Sequence, residues 1–151
     1  MKTLLRNGIV VTENIVFKAD ILINGEIIEA VEPGIQINTN INVVDVSDKW
    51  ILPGGVDAHV HLDLPMFRTV SSDDHYTGTK AAAFGGTTTV IDFISQDTDN
   101  LEENFRKLKN KAESKAAIDF GFHANITHLT PEVELQIPNL STLGVTSVKV
   151  F

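Results

Sequence analysis

The sequence predicts an α/β fold: a β-rich N-terminal unit, then a β-α-β-α-β-α-β alternation amounting to about half of a closed eight-unit (β/α) barrel. Three observations carry that prediction. Residues 1–52 break into short β-prone runs separated by turn dipeptides. From Pro53 onward, apolar strand-like runs alternate with longer amphipathic stretches. The composition, 42% hydrophobic and 21% charged over 151 residues, is that of a chain that buries a core rather than of a disordered or collagenous one.

In the first unit, residues 4–6, 9–11, 21–23, 27–28 and 41–46 are β-prone. Asn7-Gly8 and Asn24-Gly25 sit between these β-prone runs as hairpin signals, because a tight hairpin turn needs positive φ at its centre. These runs suggest a small antiparallel sheet. In the second unit, residues 56–61 read as the first strand and 72–84 as a helix opened by Ser and Asp caps and closed by Gly85-Gly86. Thr87 to Ile94 is the second strand. Residues 100–115 form a second helix whose Leu101, Phe105, Leu108 and Ala112 fall on one face. Residues 118–126 are the third strand, 131–143 a helix interrupted by Pro138, and 147–151 a fourth strand after Gly144. The domain division expected is 1–52 and 53–151, with the barrel cut short at its fourth strand.

The charge excludes some partners. Twelve basic against twenty acidic residues give a net charge of −8, with no Lys/Arg block, so neither nucleic acid nor an anionic membrane surface is an expected partner. No apolar run reaches the ~20 residues of a membrane helix and no export signal opens the chain, so a cytoplasmic location is expected. With no cysteine, disulfides, thiol catalysis and thiolate metal sites are excluded. No phosphate loop, dinucleotide fingerprint or nucleophile elbow is present.

The sharpest chemical signal is His59-Val60-His61. On a strand, positions i and i+2 share a face, so the two imidazoles project together at the end of a barrel strand, where they can bind one metal ion. The plain alternative is a surface strand that happens to carry two histidines. Lys149 lies in a short β-branched run, where an interior charge would cost several kcal/mol unless paired or chemically altered, although spacing alone favours a solvated strand-end lysine. His123 and His128 are weaker candidates, and within its strand His123 reads more readily as a satisfied core histidine than as a ligand. His75 reads as a capping-region side chain. Asp57 shares the His59/His61 face and is placed to orient a ligand.

Residues 53–63, 71–74 and 78–88 resemble, in order, blocks of the hydantoinase and dihydropyrimidinase branch of the amidohydrolase superfamily, and residues 119–123 and 144–151 are similar to its later blocks. The resemblance implies a (β/α)8 barrel with a small β-sandwich built from the two chain ends, and two zinc ions at the barrel mouth. It assigns His59 and His61 as ligands and Lys149 as the lysine that takes up carbon dioxide to form a carbamate bridging the metals. A bridging hydroxide would then open a cyclic ureide, a dihydropyrimidine or hydantoin ring. Leu64, Met66 and Phe67 match a loop shaping the substrate pocket, and Phe151 matches another pocket wall.

Family members are more than twice as long. The resemblance therefore implies that the remaining ligands and the general base lie after Phe151, that the isolated chain is inactive, and that a homo-oligomer is expected. Alternatives are a non-catalytic half-barrel that assembles or binds through its open edge, and a cyclic amidohydrolase of allantoinase or dihydroorotase type. The Leu62-Asp63-Leu64-Pro65 continuation favours the hydantoinase side.

Overall fold

The structure, a computed structural model, describes residues 2–38, 40–66 and 68–150. The chain divides into two compact units, Met1–Pro53 and Gly54–Phe151.

The first unit contains β1 (Lys2–Val11), β2 (Val16–Asn24), β3 (Ile27–Glu32), β4 (Asn42–Asp45) and β5 (Trp50–Ile51). They form one sheet in the order β3-β2-β1-β4, with β5 also paired to β1. The β1/β2 and β2/β3 pairs are antiparallel, whereas β4 and β5 run parallel to β1. The sheet is thus mixed, not antiparallel as the sequence suggested. Chain reversal after β3 is anchored by Asp20, a buried carboxylate. Its Oδ2 accepts the Ile35 backbone N–H at 3.0 Å, and Arg6 both approaches that oxygen at 3.7 Å and donates to the Ile35 carbonyl at 2.9 Å.

Only one of the two expected hairpins forms. Asn24 pairs with Ile27 across a turn with Gly25 at φ 61°. At Asn7 (φ 67°) the strand instead continues through a register shift between Leu5 and Gly8. The left-handed conformation that Asn tolerates serves a bulge as well as a turn, and here Asn7 N–H donates to Asp20 Oδ1 at 2.9 Å. Val10, Ala19 and Ile21 form the small core of this sheet.

The second unit begins with β6 (Gly55–Asp57) and a short ribbon of β7 (Pro65–Met66) and β8 (Thr69–Val70), which the sequence did not suggest. Then come α1 (His75–Phe84), β9 (Thr87–Ile94), α2 (Leu101–Glu113), β10 (Asp119–Ile126), α3 (Pro131–Leu140), a 3₁₀ turn (Ser141–Leu143) and β11 (Val148–Val150). The four parallel strands lie in the order β11-β10-β9-β6, the curled half-barrel expected from the alternation.

Helix α1 starts later than expected because Asp74, not Ser72, is its cap: Asp74 Oδ1 accepts the N–H groups of Tyr76 and Thr77 at 2.9 and 2.8 Å, and Thr77 Oγ1 accepts the Asp74 N–H. Asn100 caps α2 through the Glu103 N–H. α3 contains Pro138 and tightens into the 3₁₀ turn, and Gly144 at φ 84° then releases the chain toward β11.

The core of this unit lies between α2, α3 and one face of β9 and β10. Leu101, Phe105 and Ala112 meet Ile94, Phe122, Ala124, Ile126, Val133 and Leu140. The first strand stops at Asp57 rather than His61, because Asp57 Oδ1 takes the His59 N–H at 3.1 Å and turns the chain. The segment beyond still follows β9, with Val60 N–H donating to the Ile91 carbonyl at 3.1 Å. Gly54 is required by close approach: a Cβ there would lie 2.0 Å from Thr88 Oγ1 and 2.7 Å from Thr88 Cβ.

Two substitutions test this packing by thermal and denaturant melts. Phe105→Ala is expected to cost about 3–5 kcal/mol through cavity formation. Gly54→Ala is expected to cost about 1–3 kcal/mol through the Thr88 clash, and an unchanged melt would show that β6 does not enter the sheet as described.

Candidate functional site

Alternation along β9 divides its side chains. Val90, Asp92, Phe93 and Ile94 are all buried, with Ile94 in the core beneath α2 and α3 and the Phe93 ring on the opposite face. That ring is the centre of the site. His59 and His61 lie against it at centroid distances of 4.5 and 4.8 Å, and His123 at 4.9 Å. The Lys149 ammonium stands 4.4 Å from its centroid, within cation–π range. His59 and His61 pack edge to face at 5.2 Å, so the pairing expected of an H-x-H holds although no regular strand carries it.

Register explains the convergence. His123 pairs directly with Phe93 across the β9/β10 ladder, and Asn125 with Lys149 across β10/β11. Ala58, His59, Phe93, His123, Ser147, Val148 and Lys149 line an open cleft of about 390 Å³. His123 is satisfied by protein groups: Nδ1 meets Ser147 Oγ, and Nε2 lies 2.9 Å from the Ala58 carbonyl oxygen. Lys149 is half-buried, not a solvated strand-end lysine.

Partial desolvation, followed by the Lys149 charge and then His59, holds the His61 imidazole below the ordinary histidine range, with Asp92 pulling the other way. The neutral form so favoured is the form that offers a lone pair to a metal. Asp57 acts on the backbone through the His59 N–H.

His75 is not a capping-region side chain. It is 1% exposed, with Nε2 3.2 Å from Asp92 Oδ2 and Nδ1 4.0 Å from Asp63 Oδ2. Asp63 in turn meets Lys111 at 3.0 Å, while Asp92 accepts the Phe93 N–H at 2.7 Å and the Leu62 N–H at 3.4 Å. These groups pin the chain just after His61. The sequence placed His75 correctly at the start of the helix, but the two carboxylates come from loop and strand positions that spacing alone does not bring together.

Leu64 lines a smaller cavity with Leu62, Asp63 and Lys111, and Phe93 is a wall of that cavity as well as of the cleft. Met66 lies in the β7/β8 ribbon, and Phe67 and Phe151 fall outside the described residues. His128 is exposed and paired with Asp99 at 2.8 Å. Phe93 was missed by sequence reasoning. Its signal was available in the β alternation, which makes it the aromatic residue of β9 on the face opposite Asp92 and Ile94.

Among the described residues no cluster of three or more His, Cys, Asp or Glu is arranged to hold a metal ion. The donors present are two imidazoles, short of the three protein ligands a catalytic zinc takes, with an amine beside them. Among the described residues no helix is long and apolar enough to cross a membrane.

A parallel half-barrel with paired histidines just beyond its first strand defines a class, and comparison with known proteins agrees. The amidohydrolase family model matches residues 50–142, and the chain belongs to that family. Within it, the similarity falls on the hydantoinase and dihydropyrimidinase branch. The chain is 40% identical to the D-hydantoinase of Geobacillus stearothermophilus over 100% of this chain and 32% of that protein. It is 39% identical to the dihydropyrimidinase of Dictyostelium discoideum over 98% of this chain and 30% of that one. The crystal structure of dihydropyrimidinase from Brevibacillus agri NCHU1002 superposes with a TM-score of 0.94 at 41% identity, covering 100% of this chain and 33% of that chain. The chain thus spans about a third of the length of the curated relatives it matches.

The depressed His61 pKa sets a pH dependence. The unfolded histidine titrates near its ordinary value of about 6.5, so in acid the unfolded chain binds the proton that folded His61 resists, and stability falls as pH drops through that value. The melting temperature is expected to fall between about pH 7.5 and pH 5.5, and to fall less in His61→Asn. An equal drop in both chains would refute the assignment.

Proposed function

We propose that this chain is the N-terminal, ligand-bearing segment of a zinc-dependent cyclic-amide hydrolase that opens dihydropyrimidine or hydantoin rings. The observation that carries the reading is the convergence of His59, His61 and Lys149 on one Phe93 ring, in a chain similar along its whole length to D-hydantoinases and dihydropyrimidinases.

His59 and His61 would hold zinc through neutral imidazoles, a form that the environment of His61 favours. By resemblance to the family, Lys149 would enter as its carbamate: the ammonium loses a proton to solvent, and the amine then adds carbon dioxide with release of a second proton, which replaces a cation unfavourable beside a dication with an anionic oxygen donor. When bound, zinc supplies Lewis-acid polarisation of a ring carbonyl and a nucleophile competent near neutral pH. Phe93 holds the two imidazoles and excludes water from beneath them. Leu64, Met66, Phe67 and Phe151 are proposed to contact the ring substituent of the cyclic ureide. The general base is not assigned among the residues of this chain.

The second reading, assembly through an open edge, has one observation in its favour: among the described residues β11 pairs only with β10, and Val150 is 85% exposed. Sedimentation equilibrium decides it, since a concentration-independent monomer would remove this reading.

The catalytic reading is tested with a chimera in which this chain replaces the corresponding third of the Geobacillus stearothermophilus D-hydantoinase. With zinc and bicarbonate supplied, it is expected to open dihydrouracil or hydantoin, while the 151-residue chain alone does not. His59→Ala, His61→Ala or Lys149→Ala in the chimera is expected to lower kcat/KM by about 10³-fold or more with loss of zinc. A chimera that folds, binds no zinc and turns over neither ring would overturn the assignment.

A further inference from the structure

We propose that His123 is a positioning residue of this site, whose single imidazole fixes the segment that carries His59 relative to the strand that carries Lys149. The proposal rests on the reading of His59, His61 and Lys149 as ligand-bearing residues.

The sheet order separates β6 from β11 by two strands, so no ladder hydrogen bond ties the chain at His59 to the strand that carries Lys149. His123, on the intervening β10, makes that connection with its side chain. A carbonyl oxygen only accepts, so the contact with Ala58 places the proton on Nε2. In the neutral ring Nδ1 is then an acceptor, and the Ser147 hydroxyl donates to it. One partner immediately precedes His59 and the other lies two residues before Lys149, on a segment whose backbone is already held by the Ala124 N–H to Ser147 carbonyl bond of 3.0 Å.

The same two bonds decide what His123 does not do. With Nε2–H donating and the Nδ1 lone pair accepting, the ring has no lone pair left for a metal. Its face lies on Phe93 at 4.9 Å, the ring that also carries His59 and the Lys149 ammonium, so its loss frees both sides of the cleft at once. Such a strut is specific in its consequences: each half can be cut separately.

The test uses the isotopically labelled 151-residue chain in solution. Long-range proton–nitrogen correlation is expected to show His123 as the Nε2–H tautomer, unchanged on adding zinc chloride, while the His59 and His61 ring nitrogens shift. His123→Leu is expected to weaken the nuclear Overhauser contacts of both His59 and Lys149 with Phe93 by more than about half, leaving the Phe105 and Phe122 core signals in place, and to weaken zinc binding about tenfold. Ser147→Ala should loosen Lys149 alone. His123→Gln, which keeps a donor at the Nε2 position, should restore the His59 contact. If His123→Leu does not fold, the Ser147→Ala contacts decide. Persistence of both contacts in His123→Leu, or of the Lys149 contact in Ser147→Ala, overturns the proposal, as does a zinc-induced shift of the His123 nitrogens. Zinc that shifts no histidine of the native chain would count against the metal reading, and the Phe93 contacts would still decide the role of His123.

Discussion

The site depends on a constraint of extended chains, that successive side chains of β9 must point to opposite faces. Ile94 goes into the core under α2 and α3, Asp92 reaches His75 and the Leu62 backbone, and Phe93 is left to the cleft. A register slip of one residue would exchange these roles, placing a phenyl ring under the helices and a carboxylate among the histidines. The β10 pairing repeats the division one strand over, with Phe122 and Ala124 inward to the helices and His123 beside Phe93. Core and cleft are therefore two sides of one pairing, and the apolar area buried under the helices stabilises the geometry of the polar side.

Both units use buried carboxylates to hold irregular backbone. Asp20 takes backbone N–H groups of Asn7 and Ile35, joining a strand bulge to the turn after β3. Asp92 takes those of Phe93 and Leu62, joining β9 to the segment that carries His61. A carboxylate without such donors would be costly to bury, and backbone N–H groups are the donors that loops have to spare. In the second unit His75 and Asp63 extend the arrangement to Lys111 of α2. The paired imidazoles are thus carried on a segment with little freedom to swing, although no regular strand contains it.

Much of this was legible in the sequence. The βα alternation, the span of β9 and the apolar face of α2 follow from local periodicity, and the structure agrees at each; His59 and His61 do meet, but on a segment beyond the strand that was expected to carry them. What local pattern leaves open is where a signal with two physical solutions settles. Asn7-Gly8 offered a left-handed residue, which a bulge used instead of a hairpin. The β4 run gave no indication that it would pair in parallel, since direction is set by the path of the chain after β3 rather than by the residues of the strand. The burial of His75 depended on Asp63 and Asp92, which the chain brings together from a loop and a strand, and on the Leu62 to Asp92 bond that holds that loop in place. The family resemblance supplied the identity of the barrel but said nothing of these contacts.

The first strand of the chain is the hub of its unit, since β1 pairs with β2, β4 and β5. That strand precedes all its partners in sequence and completes its sheet only when Trp50 and Ile51 lie beside Ile9 and Val10. Until then it can form a hairpin with β2 but presents an unpaired edge, and the parallel closure must bear the entropy of a long loop. The order of these pairings along the chain therefore leaves one edge of β1 unpaired until β4 and β5 have been added, so this sheet closes by its most distant contacts.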